Sequence, residues 1–499
     1  MTAKLDVAWF SPLPPKATGI AGYSERLLQA LAATGQVRLT LYDEQIADCP
    51  LSDTHDCKEL STALVSPEVR ASIGIPVYQL GNNARYHSAI WRLAQRLPGV
   101  VVLHDAVLYN MMASMGRGRL LQALAANGFP ALDSLQQLEA CMGSADQPDG
   151  QNMLEHYPQP HQFPLLKELN HCARLVVVHN QTAATMLQQQ GYTGPVEIMP
   201  HLSFGACGYQ PASLEQPVLQ QLAQARQHNP ALRVVGLFGF RGDNKQADVL
   251  VEALQQLPAE LRQHTRLLIV GQGHTPDWLA ASPFAEQTLA VDYVSDNDFQ
   301  QALHLTDLLV NLRYPSFGET SGVQIHAMTA GCATLVNRTG WFAELPDDTV
   351  CHLSAAPADA PQLVPVLTQL LENNQQRQAI GRCARDWMQR HHSPTAVAAQ
   401  LVSILERAQL LNPPRPVATQ PAAWVERYRQ RRLGALMADA GQQAIPVSMT
   451  APATPAVKRP VASIKARLRQ LPAALWLYGI LVRVPFINPL LAALLRRLR

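Results

Sequence analysis

The sequence predicts an α/β protein with two doubly wound, Rossmann-like domains and a separate C-terminal tail. Three observations carry that prediction. Short apolar runs recur along the chain, each followed by a turn and then a helical pattern, which is the signature of βαβ units and parallel sheets. The runs fall into two series, one before and one after about residue 205. The 499 residues are 47% hydrophobic and 16% charged, enough apolar material for a large core and incompatible with a wholly disordered chain.

The first series begins with Val7–Ser11, a Pro/Gly-rich loop and the helical pattern Tyr23–Ala33. Val100–His104 and Leu175–His179 continue it. Residues 115–165 are rich in Gln and Met at helical spacing and read as an insertion. Pro200–Pro217 is loop-like and is the expected hinge. The second series runs through Val234–Phe240, Leu267–Val270, Leu308–Leu312 and Ala333–Val336, and it ends near Leu410. The expected divisions are therefore 1–205, 206–411, a helical and Pro-rich linker over 412–460, and a tail over 461–499.

Charge separates the tail from the body. Residues 458–499 hold nine basic residues and no acidic one, although the whole chain has a net charge of only +2. The rest of the chain is left with 31 basic against 38 acidic residues, a net of −7. The longest uncharged apolar run of the tail, Leu471–Val482, has 12 residues, whereas a spanning helix needs about 20. With Trp476, Tyr478 and Phe486 at hand, the tail reads as an amphipathic element on an anionic membrane surface. No nucleic-acid partner is expected. No apolar segment of signal-peptide length precedes Pro12, and the eight cysteines form no CxxC pair. The expectation is a cytoplasmic protein with reduced thiols, held peripherally at the inner face of the membrane.

The segment NLRYPSFGETSGVQIHAMTAGCATLVNRTGWFAELP, Asn311–Pro346, is the most informative. A strand ends near Leu312, and a helix is expected to begin around Glu319–Ser321. Helix N-termini present unpaired N–H groups that suit a diphosphate. The segment resembles the donor-binding signature of glycosyltransferase family 4, the retaining enzymes of the GT-B fold. Glu319 matches its first Glu, Gly322 its glycine, Ala327-Met328 its dipeptide and Gly331 its later glycine. His326 stands where the family has a second Glu, the usual ribose ligand.

Other segments extend the resemblance over about residues 5–405. SPLPPKATGIAGYSERLLQAL looks like the family's first glycine loop, with Gly19 and Gly22 permitting close backbone approach. Gln79–Asn83 and Leu103–Asp105 follow apolar runs, at strand ends where open α/β sheets bind ligands. LFGFRGDNKQADVLVEAL resembles the family's phosphate-binding turn, with Lys245 on the diphosphate and Arg241 beside it. LLIVGQGH brings Gly271.

The resemblance implies a GT-B cleft and transfer of a sugar, with retention, from a nucleoside-diphosphate sugar to a glycan or glycolipid hydroxyl. His104, Glu319 and Lys245 would be catalytic. Gly19, Gly22, Arg241, Gly271, Thr320, Ser321, Gly322, Val323 and His326 would bind the donor. No cofactor and no metal is expected. Asp296-Asn297-Asp298 has the D-x-D form of a metal bridge but precedes a helical pattern, where capping is the expected role. A nucleotide-sugar epimerase of the same fold and a non-catalytic nucleotide-sugar-binding subunit are the alternatives.

Overall fold

The computed structural model describes residues 4–128 other than 47, and 160–414 other than 206–207, 240–242, 272–276, 293 and 355–356. Arg241, most of the expected insertion, the linker and the 461–499 tail lie outside the described residues.

Two all-parallel sheets form the frame. The first contains β1 (Leu5–Phe10), β2 (Val37–Asp43), β3 (Asp56–Glu59), β4 (Ile75–Leu80), β5 (Gly99–Leu103), β6 (Ala173–Val178) and β7 (Val196–Ile198), in the order β3-β2-β1-β4-β5-β6-β7. The second contains β8 (Arg233–Phe238), β9 (Thr265–Val270), β10 (Thr288–Val291), β11 (Leu308–Val310), β12 (Thr334–Asn337) and β13 (Cys351–Leu353), in the order β10-β9-β8-β11-β12-β13. Strand order reverses between β1 and β4, and between β8 and β11. Doubly wound sheets bind ligands outside the strand ends at such switch points.

The central strands are apolar throughout because helices cover both faces: all of β4 and β5 is buried. The edge strand β3, Asp56-Cys57-Lys58-Glu59, carries three charges in four residues and gave no apolar signal.

Two boundaries differ from the sequence expectation. The first helix starts at Gly19, four residues before Tyr23, so Gly19 and Gly22 lie within its first turn and not in a loop. The range 206–411 also gives up its last helix. In Pro394–Leu410, Val397, Leu401, Leu405 and Ala408 repeat at near-helical spacing and pack into the core around β1 and the Gly19–Ala33 helix. That stripe is buried only against the first domain, which is why the chain crosses back. The two crossings touch: Ser203 N–H donates to the His392 carbonyl at 2.8 Å, and the His392 ring bonds the His201 carbonyl.

Candidate functional site

On the first-domain side, β1 runs into a loop held by the Lys16–Asp43 ion pair, by Leu13 N–H donating to Asp43 Oδ2 at 3.0 Å and by a 2.7 Å contact between Ser11 and Ser24 hydroxyls. The loop delivers the chain into the Gly19–Ala33 helix. A Cβ at Gly19 or Gly22 would meet nothing within 4 Å, so this turn borders open space.

Gly81 follows β4 and has the opposite surroundings. A Cβ there would lie 2.8 Å from Ile20 Cδ1, 3.0 Å from His87 Nε2 and 3.3 Å from Asp105 Oδ2. Glycine lets the β4 end approach the helix start and the β5 end at once.

His104 and Asp105 follow β5. The His104 Nε2 and Gln79 Oε1 are 2.8 Å apart, and the ring meets Tyr23 edge-on at 4.8 Å and His179 at 5.0 Å. Burial, then the neighbouring histidines, hold His104 well below the ordinary imidazole range, so the ring is neutral. With Nε2 engaged by Gln79, Nδ1 is the nitrogen left for a ligand. Asp105 Oδ2 accepts from Asn82 N–H at 2.8 Å. Burial and the charge of Glu319, from the other domain, push its carboxyl up to about 6.

On the second-domain side, Gly239 follows β8 and takes φ +88°, and Gly271 after β9 takes φ +144°. A Cβ at Gly271 would sit 2.1 Å from the Gly239 carbonyl oxygen. Gly271 therefore has a packing reason to be glycine, at a position expected to bind donor. Lys245 is 5% exposed, and its ammonium donates to the Phe238 carbonyl. Burial, then the charge of Arg313, lower it well below the usual lysine value. A Cβ on Gly239 would be 2.8 Å from Lys245 Nζ and 2.7 Å from Val323 Cγ2, so the ammonium and the start of the next helix share one spot.

That helix spans Gly322–Ala330, with Ser321 as its N-cap accepting from Gln324 N–H at 3.3 Å. The expected start at Glu319–Ser321 moves to Gly322. The Ser321 hydroxyl also accepts from Asn311 Nδ2 at 3.2 Å, so it is occupied as a cap. Among the described residues the N–H groups of Gly322 and Val323 have no acceptor, and a Cβ on Gly322 would meet nothing within 4 Å.

Glu319 lies in the loop before this helix. Its Oε1 accepts from Arg313 Nε at 3.1 Å and its Oε2 from Phe317 N–H at 2.7 Å. Thr320 joins the two domains: its Oγ1 and the Gly318 carbonyl accept from Asn180 Nδ2 at 2.9 and 3.1 Å. Ala106 N–H donates to the Phe317 carbonyl at 2.8 Å, and the Glu344 carboxylate accepts from Gln181 and Thr182 N–H at 2.9 and 2.7 Å. The two domains therefore touch beside Glu319.

His326 is stacked flat on Phe204 at 3.8 Å with 3° between the planes, and Phe299 packs edge-on at 5.1 Å. Its Nδ1 lies 2.8 Å from Gln300 Nε2, and burial lowers its pKa to about 3. It is a neutral, sandwiched ring, chemically unlike the carboxylate the resemblance places there.

The D-x-D match has a structural role. Asp298 is fully buried, and its carboxylate accepts from Glu215 and Gln216 N–H at 2.9 and 2.8 Å; the cap of the Asp296–Leu305 helix is Ser295. Among the described residues no group of three His, Cys, Asp or Glu side chains could hold a metal ion.

Sequence reasoning missed Asp105 and Arg313, although both lie in segments it quoted. The available signal was position, since each follows a strand, Arg313 after β11 at the switch point of the second sheet and Asp105 after β5, one strand from the switch point of the first.

Residues 230–373 match the family model described as Glycosyl transferases group 1. Lipopolysaccharide glucosyltransferase WaaG of Escherichia coli K12 is 31% identical over 164 residues, which are 32% of this chain and 42% of that protein. The match thus spans less than half the length of the curated relative. Among solved structures, HepE of Anabaena in complex with UDP-glucose superposes with a TM-score of 0.53 at 15% identity, covering 81% of this chain and all of that one. WaaG, a glycosyltransferase involved in lipopolysaccharide biosynthesis, gives 0.50 at 17% identity over 80% of this chain and 99% of its own. Sucrose-phosphate synthase of Thermosynechococcus elongatus gives 0.52 at 16% identity over 81% and 99%. At these identities the likeness shows the GT-B fold.

Proposed function

We propose, from the match of residues 230–373 to the glycosyl transferases group 1 model, that this chain transfers a sugar from a nucleoside-diphosphate donor to an acceptor hydroxyl. The observation that carries the reading is the buried Lys245 ammonium, without a carboxylate partner among the described residues, beside the free N–H groups of Gly322 and Val323. A buried cation next to a helix N-terminus suits an anion, and charge on the leaving diphosphate is what this reaction must stabilise. Bound phosphate would favour the charged form of Lys245, which burial and then the charge of Arg313 disfavour.

In this reading transfer retains configuration and needs no metal. Glu319, fixed by Arg313 and Phe317 N–H, orients the sugar hydroxyls. His104 meets the sugar from the first domain through Nδ1. Contact between the domains at Thr320 and Glu344 excludes water, the competing acceptor. His326 cannot accept two ribose hydroxyls as a carboxylate does, so ribose contacts move to its free Nε2 or to backbone.

The acceptor is a glycan or glycolipid at the cytoplasmic face of a membrane, as in surface polysaccharide assembly. The support is the basic tail and the lipopolysaccharide role printed for WaaG. Among the described residues no helix is long and apolar enough to cross a membrane.

One experiment tests this. Full-length protein, Lys245→Ala and a form lacking 461–499 are titrated with UDP, GDP and ADP. They are then given the matching nucleotide sugars, EDTA and anionic vesicles bearing lipopolysaccharide-type acceptors. The full-length protein should bind a diphosphate and transfer in EDTA. Lys245→Ala should weaken binding by about 1.5–3 kcal/mol, the range for a charged hydrogen bond. The truncation should keep donor binding and lose vesicle-dependent transfer. Tight binding without transfer to any acceptor would favour a binding subunit, turnover of donor alone an epimerase, and binding of no nucleotide would end the proposal.

A further inference from the structure

Two cationic side chains repel each other here, Lys245 at the first turn of the Gly322–Ala330 helix and Arg313 in the loop before it, and only Arg313 is paired with a carboxylate among the described residues. Lys245 donates to the Phe238 carbonyl and forms no ion pair among the described residues. The Arg313 side chain is 12% exposed, between β11 and Glu319. Its Nε bonds Glu319, and its Nη1 donates to the Leu312 carbonyl at 3.3 Å. Its Nη2 makes no hydrogen bond among the described residues.

The backbone carrying this guanidinium is clamped. The Asn337 side chain, fully buried at the end of β12, accepts from Arg313 N–H at 2.8 Å and donates to the Arg313 carbonyl at 2.7 Å. The next residue, Tyr314, donates its N–H to the Asn244 carbonyl at 2.8 Å, tying this loop to the one that carries Lys245. Such a clamp fixes where the charge sits. The Arg313 charge in turn depresses Lys245, and Asp105 and Glu319 are both coupled to Arg313.

A counter-ion for Glu319 needs only one edge of a guanidinium. Here the outer edge is unspent, in a buried place beside a second cation that repels it. Negative charge placed between neighbouring cations relieves their repulsion, and the planar guanidinium fork matches phosphate. We infer that Arg313 is a second cationic ligand of the donor diphosphate, contacting the leaving phosphate through the guanidinium edge that Glu319 does not use. The inference rests on the nucleotide-sugar reading above.

Calorimetry on the full chain tests it, using the best bound of UDP, GDP and ADP together with the corresponding monophosphate. Because Arg313→Gln strands Glu319, the decisive pair is Glu319→Gln against the double variant R313Q/E319Q. Diphosphate affinity should fall at least tenfold between that pair, monophosphate affinity should fall much less, and Arg313→Lys should recover part of the loss. Equal diphosphate affinity in the pair would make Arg313 only a counter-ion, and equal losses for diphosphate and monophosphate would remove it from the leaving phosphate. Wild-type protein that binds none of the three diphosphates would instead overturn the nucleotide-sugar reading, and this inference with it.

Discussion

Asp105 sits where the charges of the two domains meet, and its titration makes the strain of that meeting measurable. Its carboxyl, near 3.8 when free, is pushed up to about 6 by burial and by Glu319. Between those values the folded protein binds more protons than the unfolded one, so stability falls as pH rises through that window. Asp105→Asn keeps an acceptor for Asn82 N–H and removes the charge. It should stabilise the protein at pH 8 by about 1–3 kcal/mol, since one pKa unit is about 1.4 kcal/mol, with the gain vanishing below about pH 4. Thermal melts at the two pH values read this directly, and equal shifts at both would disprove the electrostatic account. His104 could be singled out in the sequence because residue type and strand-end position coincide, and Lys245 because its turn resembles a phosphate-binding one. Asp105 was not singled out, because its significance comes from Glu319, more than two hundred residues away in sequence.

At the scale of elements, caps decided the details that sequence left open. Glu319, Thr320 and Ser321 are all good residues for a helix start, and composition cannot choose among them. The choice fell on Ser321 because Arg313 claims Glu319 and Asn180 claims Thr320. Asp298 shows the same logic. Its motif suggested a cap or a metal bridge, yet it ties the Pro217–His228 helix to its neighbour through the N–H groups of Glu215 and Gln216. Asp298→Ala should strip both donors of their acceptor and destabilise by about 1–3 kcal/mol in urea unfolding. Nucleotide affinity of the folded protein should not change, and no divalent ion should rescue it. Loss of stability in the wild type on adding EDTA would return the metal reading.

At the scale of the whole molecule, neutral histidines line the meeting of the two domains and the crossings between them. Burial lowers His87, His179 and His392 to about 4 and His326 to about 3, and holds His104 and His201 well below the ordinary value. The unfolded chain takes up these protons near 6.5, so their contribution is complete above that pH and is lost as pH falls toward 4. This opposes Asp105 and outweighs it in number. The unfolding free energy read from urea titrations should therefore fall steadily from pH 7 to pH 5, by about several kcal/mol in total. A flat profile would mean that these rings are hydrated in solution. The sequence by itself determined the two parallel sheets and the basic charge of the tail, because apolar runs, turns and charge are local properties of the chain. It did not determine the edge strands, which are too short and polar to signal burial, nor the return of Pro394–Leu410 to the first domain. That helix presents an ordinary apolar stripe, and only the tertiary structure decides which sheet covers it. The same holds for the pairing of Arg313 with Glu319 and of Asp105 with both: charge interacts through space, and the fold sets those distances.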